Sequence, residues 1–236
     1  MSFLVSFVVG VLALVPAVAI AIPAHEMGHA AAAYFQGDRS VRYFGYFKPD
    51  PRRFLDPFGV IAVFVALVGW GRRVPIQSNR ISGTRQKILY ELGGPAANLV
   101  VAFVIGLLLR AMIRAGVPVT FDLGPGLLGL VIYVIVFLNL SIFAFQLLPI
   151  PGLDGWNVIE AIFQRRNARF FYDVSTRRRE VWAGCVVVLL AVQFFQGANL
   201  LNYAMLPFFE PASLISVGEC IGYRIPGFTG LAPCLP

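Results

Sequence analysis

Apolar residues run almost unbroken from Phe3 to Phe35, Phe58 to Trp70, Ile88 to about Ile113, Leu127 to Leu148 and Val181 to about Phe195, with the charged residues gathered between these runs. A helix that is apolar all round belongs in lipid or in a deep interior, and crossing a bilayer core of about 30 Å takes about 20 helical residues. The first, third and fourth runs reach that length, and the last does so if it continues towards Phe209. The second run, about 13 residues, would make a helix of roughly 20 Å and is expected to be re-entrant or interfacial. Residues 36–56 interleave Arg39, Arg42, Lys48, Arg52 and Arg53 with Tyr43, Phe44, Tyr46 and Phe47, as a short hairpin or interfacial loop would. The expected fold is an all-α polytopic membrane protein with about four full transmembrane helices, a re-entrant or interfacial segment and a short hairpin. Residues 1–209 would form the membrane-embedded domain and 210–236 a Gly- and Pro-rich C-terminal tail.

Composition agrees with that class: 58% of the 236 residues are hydrophobic and 13% charged, and the mean hydropathy is +0.76. A formal net charge of +7 would suggest nucleic acid in a soluble protein. Here all of the 19 basic residues except Arg110, Arg114 and Arg224 fall in three segments between apolar runs. That is the distribution of cytoplasmic loops in a membrane protein, so no nucleic-acid partner is expected. No basic region precedes the first run, whose first charged residue is Glu26, so this run is expected to remain in the mature chain.

Ionisable groups cost roughly 2.5 to 3.5 kcal/mol at the centre of a membrane helix on insertion scales, which makes His25, Glu26 and His29 conspicuous in Pro23-Ala24-His25-Glu26-Met27-Gly28-His29. They include both histidines of the chain. Residues four apart share a helix face, so H-E-x-x-H can offer two imidazole nitrogens to one metal ion and place a carboxylate beside it. With a third protein ligand, a zinc ion keeps one position open for water, and the carboxylate can take that water's proton during attack on a carbonyl. Pro16 and Pro23 are the expected break points of this long run.

Asp154 is the candidate third ligand and Glu91 its competitor, with a plain Asp-Gly turn as the alternative for Asp154. Pro149 and Pro151 are expected to hold the backbone before Asp154 extended, with carbonyls free for an extended substrate. A site shared by His25, His29 and Asp154 requires their helices to run in the same direction. The Ile88 to Ile113 run must therefore cross between them and the 58–70 run must not. Asn98, inside an apolar helix, could bond the substrate carbonyl or equally a neighbouring helix, and Asn139 is expected to be structural. Cys185 reads as a core residue. Cys220 and Cys234, in a tail placed outside by this topology, are expected to form a disulfide.

His-Glu-Met-Gly-His in a membrane helix, Gly94-Pro95-Ala96-Ala97-Asn98 in a later one and Leu148-Pro149-Ile150-Pro151-Gly152-Leu153-Asp154-Gly155 after the next resemble the site-2 protease family of intramembrane zinc metalloproteases. Asp56-Pro57-Phe58-Gly59 resembles its compact prokaryotic branch, which lacks PDZ and CBS domains. The resemblance covers roughly residues 20–160. It implies one zinc ion per chain bound by His25, His29 and Asp154, Glu26 activating water, and Asn98 beside the substrate. Gln146 stands where the family usually has Asn. The function implied is an intramembrane zinc metalloendopeptidase of the cell membrane, with basic loops cytoplasmic and the tail outside. Its substrates would be membrane-anchored proteins, regulators such as anti-sigma factors among them. A zinc-binding membrane transporter or scaffold without proteolytic activity is the alternative, though a transporter would spread ionisable residues over several helices.

Overall fold

The computed structural model describes residues 3–48, 50–77, 80–120, 124, 126–195, 199–225, 230–231 and 233–234. It is mostly helical. In chain order come α1 (Phe3–Phe35), α2 (Ser40–Tyr43), α3 (Pro51–Phe54), α4 (Pro57–Ala66), α5 (Thr84–Arg114), α6 (Leu127–Gln146), α7 (Asp154–Phe163), α8 (Ala168–Thr176), α9 (Arg178–Phe195) and α10 (Asn199–Ser216). A two-residue antiparallel pair, β1 (Tyr223–Arg224) and β2 (Gly230–Leu231), closes the described chain.

Among the described residues, three helices, α1, α5 and α6, are long and apolar enough to cross a membrane, which marks a multi-pass membrane protein. Leu12 and Val15 on α1, and Val100, Val104, Leu107 and Leu108 on α5, point outward, as a lipid-facing belt does. Lipid tails are as apolar as leucine, so burial alone cannot hold such helices together; close backbone packing and interhelical hydrogen bonds must. Both are present. A side chain on Gly28 would run into Gly93 O and, at 2.6 Å, the Ala97 methyl, so α1 and α5 touch through small residues. The polar ties run from Ala21, His25 and His29 of α1 to Asn98 and Tyr90 of α5, and from Asn98 to Asn139 of α6. As α1 numbers rise, α5 numbers fall, so these helices are antiparallel. α6 is buried along most of its length between them.

α1 is continuous through Pro16 and Pro23, contrary to the expected break. Beside Pro23, Asn98 Nδ2 donates to Ala21 O at 2.9 Å, which ties α1 to α5 at this level. The expected hairpin in 36–56 is instead two single helical turns, α2 and α3, linked by tight turns. The Asp56 side chain caps α4, accepting from Phe58 N and Gly59 N at 3.0 Å, with Pro57 in the first helical position. The chain then turns back. Leu55 pairs with Gly71, and Arg72 N donates to Phe54 O at 2.7 Å, so the segment between them starts and finishes at one place.

The expected fourth crossing is divided. α9 begins with Arg178, Arg179 and Glu180, leaving an apolar stretch of roughly 22 Å, shorter than a bilayer core. Residues 196–198 lie outside the described residues, and α10 carries Glu210 and two prolines. Between them, α9 and α10 take the chain from one end of the bundle, where Trp182 meets Trp70, to the other, where Ser216 meets Gly106. The boundary expected at residue 209 falls inside α10.

The tail is packed rather than loose. Ile221, Tyr223, Ile225 and Leu231 are buried; Tyr223 Oη donates to Gly10 O at 2.7 Å and Tyr133 Oη to Gly222 O at 2.6 Å. Cys220 and Cys234 form a disulfide, while Cys185 is a half-buried thiol. Residues 226–229, 232, 235 and 236 of the tail lie outside the described residues. The bond closes a loop between residues 14 apart in sequence, worth about 3 kcal/mol in the chain-entropy model. Cys234→Ser is therefore expected to lose about that much stability in denaturant unfolding of the purified protein; an unchanged midpoint would mean that tail packing holds this end without the bond.

Candidate metal centre

Helical spacing puts His25 and His29 on one face of α1, and α5 fixes their rings. His25 Nδ1 donates to Asn98 Oδ1 at 2.7 Å and His29 Nδ1 donates to the Tyr90 carbonyl at 2.8 Å. Each ring then carries its lone pair on Nε2. The two Nε2 atoms lie 3.1 Å apart, and each is 3.1 Å from Asp154 Oδ2. All three residues are buried. Three electron-rich atoms crowded together repel unless a cation sits among them. A tetrahedral zinc ion with ligands at about 2.0 Å would space them about 3.3 Å apart, so the donor set fits zinc in number, type and spacing.

Backbone packing keeps the centre small. A Cβ on Gly94 would lie 2.7 Å from His25 Nε2 and strike His29 Nε2, so α5 presents bare backbone to the imidazoles. Asp154 opens α7, brought there by turns in which Ile150 N donates to Leu148 O and Leu153 N to Ile150 O. Gly152, at φ +110°, takes a conformation that side chains disfavour. The extended backbone expected before Asp154 is thus a compact turn; the prolines fix its corners instead of straightening it. Glu91, the competing acid, pairs with Arg73 and accepts from Asn157 Nδ2 at 3.0 Å, outside the ligand cluster.

Glu26 lies beside the cluster, buried, its Oε2 without a hydrogen-bond partner among the described residues. It faces a cavity of about 420 Å³ bordered also by Trp70, Gly71, Arg73, Gln146 and Trp182. A Cβ on Gly71 would come 2.5 Å from Glu26 Oε1, so the carboxylate rests against main chain. Gln146 is buried on the cavity wall, with Nε2 3.4 Å from Gly69 O.

Of the two roles that the sequence leaves open for Asn98, bonding to neighbouring helices is the one present here. Asn98 is 0% exposed, and its amide is committed to His25 Nδ1, Ala21 O and Asn139 Oδ1. It orients a histidine and does not reach the cavity. Removing such a partner of a liganding histidine typically costs 10- to 100-fold in metal affinity. Asn98→Ala is expected to weaken zinc binding by about that factor in chelator competition, and wild-type affinity would show that α1 holds His25 unaided.

The stretch that sequence reading missed is 68–77, which follows α4 without regular structure and supplies Trp70, Gly71 and Arg73 to the cavity. Asp38 fastens its far end, accepting from Gln77 N at 2.8 Å. Gly69-Trp70-Gly71 before two arginines was the available signal, since glycines in a short apolar run mark close backbone approach.

No protein-family model matches the chain, and no solved structure matches it significantly. Among curated proteins, it is 36% identical over 137 residues to "Putative zinc metalloprotease YwhC" of Bacillus subtilis, covering 58% of this chain and 62% of that protein. It is 33% identical over 174 residues to "Putative zinc metalloprotease Rip2" of Mycolicibacterium smegmatis, covering 71% of this chain and 62% of that one. The Rip2 protein of Mycobacterium tuberculosis is 35% identical over 142 residues, 58% of this chain and 51% of its own length. The chain thus spans about three-fifths of the length of the first two relatives, and it is homologous, over that part, to proteins that carry the name "Putative zinc metalloprotease".

Proposed function

We propose that the protein is an intramembrane zinc metalloendopeptidase that hydrolyses a peptide bond within or near a transmembrane segment of a membrane-anchored substrate. One observation carries this reading: two imidazole lone pairs and a carboxylate oxygen converge at 3.1 Å, with the buried Glu26 carboxylate beside them on a cavity. His25, His29 and Asp154 would hold one zinc ion. That ion, when bound, supplies a Lewis acid that lowers the pKa of water and polarises a carbonyl.

The chain's own groups do the rest. Glu26 takes the proton of the attacking water and returns it to the leaving amine. Asn98 and the Tyr90 carbonyl hold the histidine rings in the tautomer that leaves Nε2 free. A helical substrate must unwind locally, because its carbonyls are hydrogen-bonded and shielded. Regulators anchored by a single span, anti-sigma factors among them, suit such a site. The three basic segments lie at the end of the bundle nearer the site, and the positive-inside rule makes that end cytoplasmic and the disulfide-bearing tail external.

Metal content tests the basis of this reading. Protein purified without chelator should carry one zinc ion per chain, and His25→Ala with His29→Ala should carry none. A folded wild-type protein that takes up no zinc would end the proposal.

A further inference from the structure

Attack on an amide carbonyl moves charge onto its oxygen, and a hydrolytic site gains most from a fixed donor aimed at that oxygen. Asn98, the polar residue expected beside the substrate, is occupied by His25 and Asn139. The Gln146 amide faces Gly69 O. Among the described residues bordering the cavity, Arg73 is the one permanent cation.

We propose that Arg73 is a catalytic residue of this site, donating to the substrate oxygen that becomes negative during hydrolysis. The assignment rests on the peptidase reading above. Both ion pairs of Arg73 use Nη2, one with Glu91 Oε2 and one with Asp154 Oδ1 at 3.5 Å. No described residue takes up its Nε or Nη1, so these N–H groups remain for a ligand. The guanidinium is also held in place. Asp154 offers Oδ1 to Arg73 and Oδ2 to the histidine cluster, and Glu91 is steadied by Asn157. Arg73 is therefore fixed against the carboxylate of one metal ligand, and needs little reorganisation as charge develops.

The step balances without another reactant. Water oxygen bonds to the carbonyl carbon, its proton goes to Glu26, and the carbonyl electron pair moves to the oxygen beside Arg73. Collapse breaks the C–N bond, and the proton on Glu26 passes to the amine.

The test compares Arg73→Ala and Arg73→Lys with wild type for zinc per chain, kcat and KM on a peptide-bond substrate, and affinity for a phosphinic peptide whose anionic oxygens imitate the attacked carbonyl. Arg73→Ala should keep one zinc, lose about 10²- to 10³-fold in kcat with KM moved less than about threefold, and lose phosphinic affinity in parallel. Added guanidinium ion should restore at least about tenfold of the lost rate. Arg73→Lys, which keeps the charge but not the fork of donors, should lose kcat by about tenfold with zinc retained, and it carries the test if Arg73→Ala does not fold. Zinc and activity falling together without guanidinium rescue would make Arg73 a clamp on Asp154 and overturn the proposal, as would unchanged kcat. A zinc-loaded wild type that cleaves no peptide bond would instead refute the peptidase reading, and this assignment with it.

Discussion

Asp154→Ala is expected to strip the protein of zinc, lowering metal affinity by at least about 100-fold and activity with it. The lost Oδ2 atom is one of three that converge at 3.1 Å, and loss of a mere outer partner already costs 10- to 100-fold. The substitution also releases Arg73 from one of its two carboxylates. The measurement is zinc per folded monomer, with folding checked by the intact Cys220–Cys234 bond and helical content. Full occupancy in Asp154→Ala would pass the ligand role to another group. Glu91, held by Arg73 and Asn157, is the acid to test next.

Glu26→Gln should separate chemistry from binding. The carboxylate faces the cavity but is absent from the ligand cluster, so its amide should leave zinc in place at one per chain. Gln cannot accept and return the water proton, and a positioned general base is worth about 10²- to 10⁴-fold. Turnover is expected to fall by that factor while the phosphinic peptide still binds. Unchanged turnover would remove Glu26 from the reaction. Loss of zinc in Glu26→Gln would instead make it part of the ligand set.

Much of the centre was legible because its constraints are local. Four-residue spacing alone puts His25 and His29 on one helix face, and the length of the apolar runs predicts α1, α5 and α6. Parity led from there to α1 and α6 running the same way, with α5, which follows α1 in the chain, antiparallel to both. Where the sequence left alternatives open or misled, tertiary packing decided. Asn98 carries no sign in sequence of which neighbour takes its amide, and the neighbour is His25, 73 residues away. Arg73 reads as one more loop cation until α4 turns back and Leu55 meets Gly71, which sets it against Asp154, 81 residues on. Two prolines before Asp154 suggest extension, but hydrogen bonds from Ile150 and Leu153 fold them into a turn. The last run, from Val181, reaches spanning length only if it continues towards Phe209, and the chain instead forms two helices there, α9 and α10. The tail, rich in Gly and Pro, gave no periodic pattern, yet Tyr223 anchors it to Gly10, 213 residues earlier.

The central claim is that this bundle cuts a peptide bond at membrane depth with zinc. Its most direct test is the purified protein in liposomes with a single-span substrate labelled at both ends, the products being mapped by mass spectrometry. The account predicts a cut within or at the edge of the span, stopped by a zinc chelator and restored by added zinc. An intact substrate beside fully zinc-loaded protein, across a panel of single-span sequences with helix-breaking residues, would contradict it.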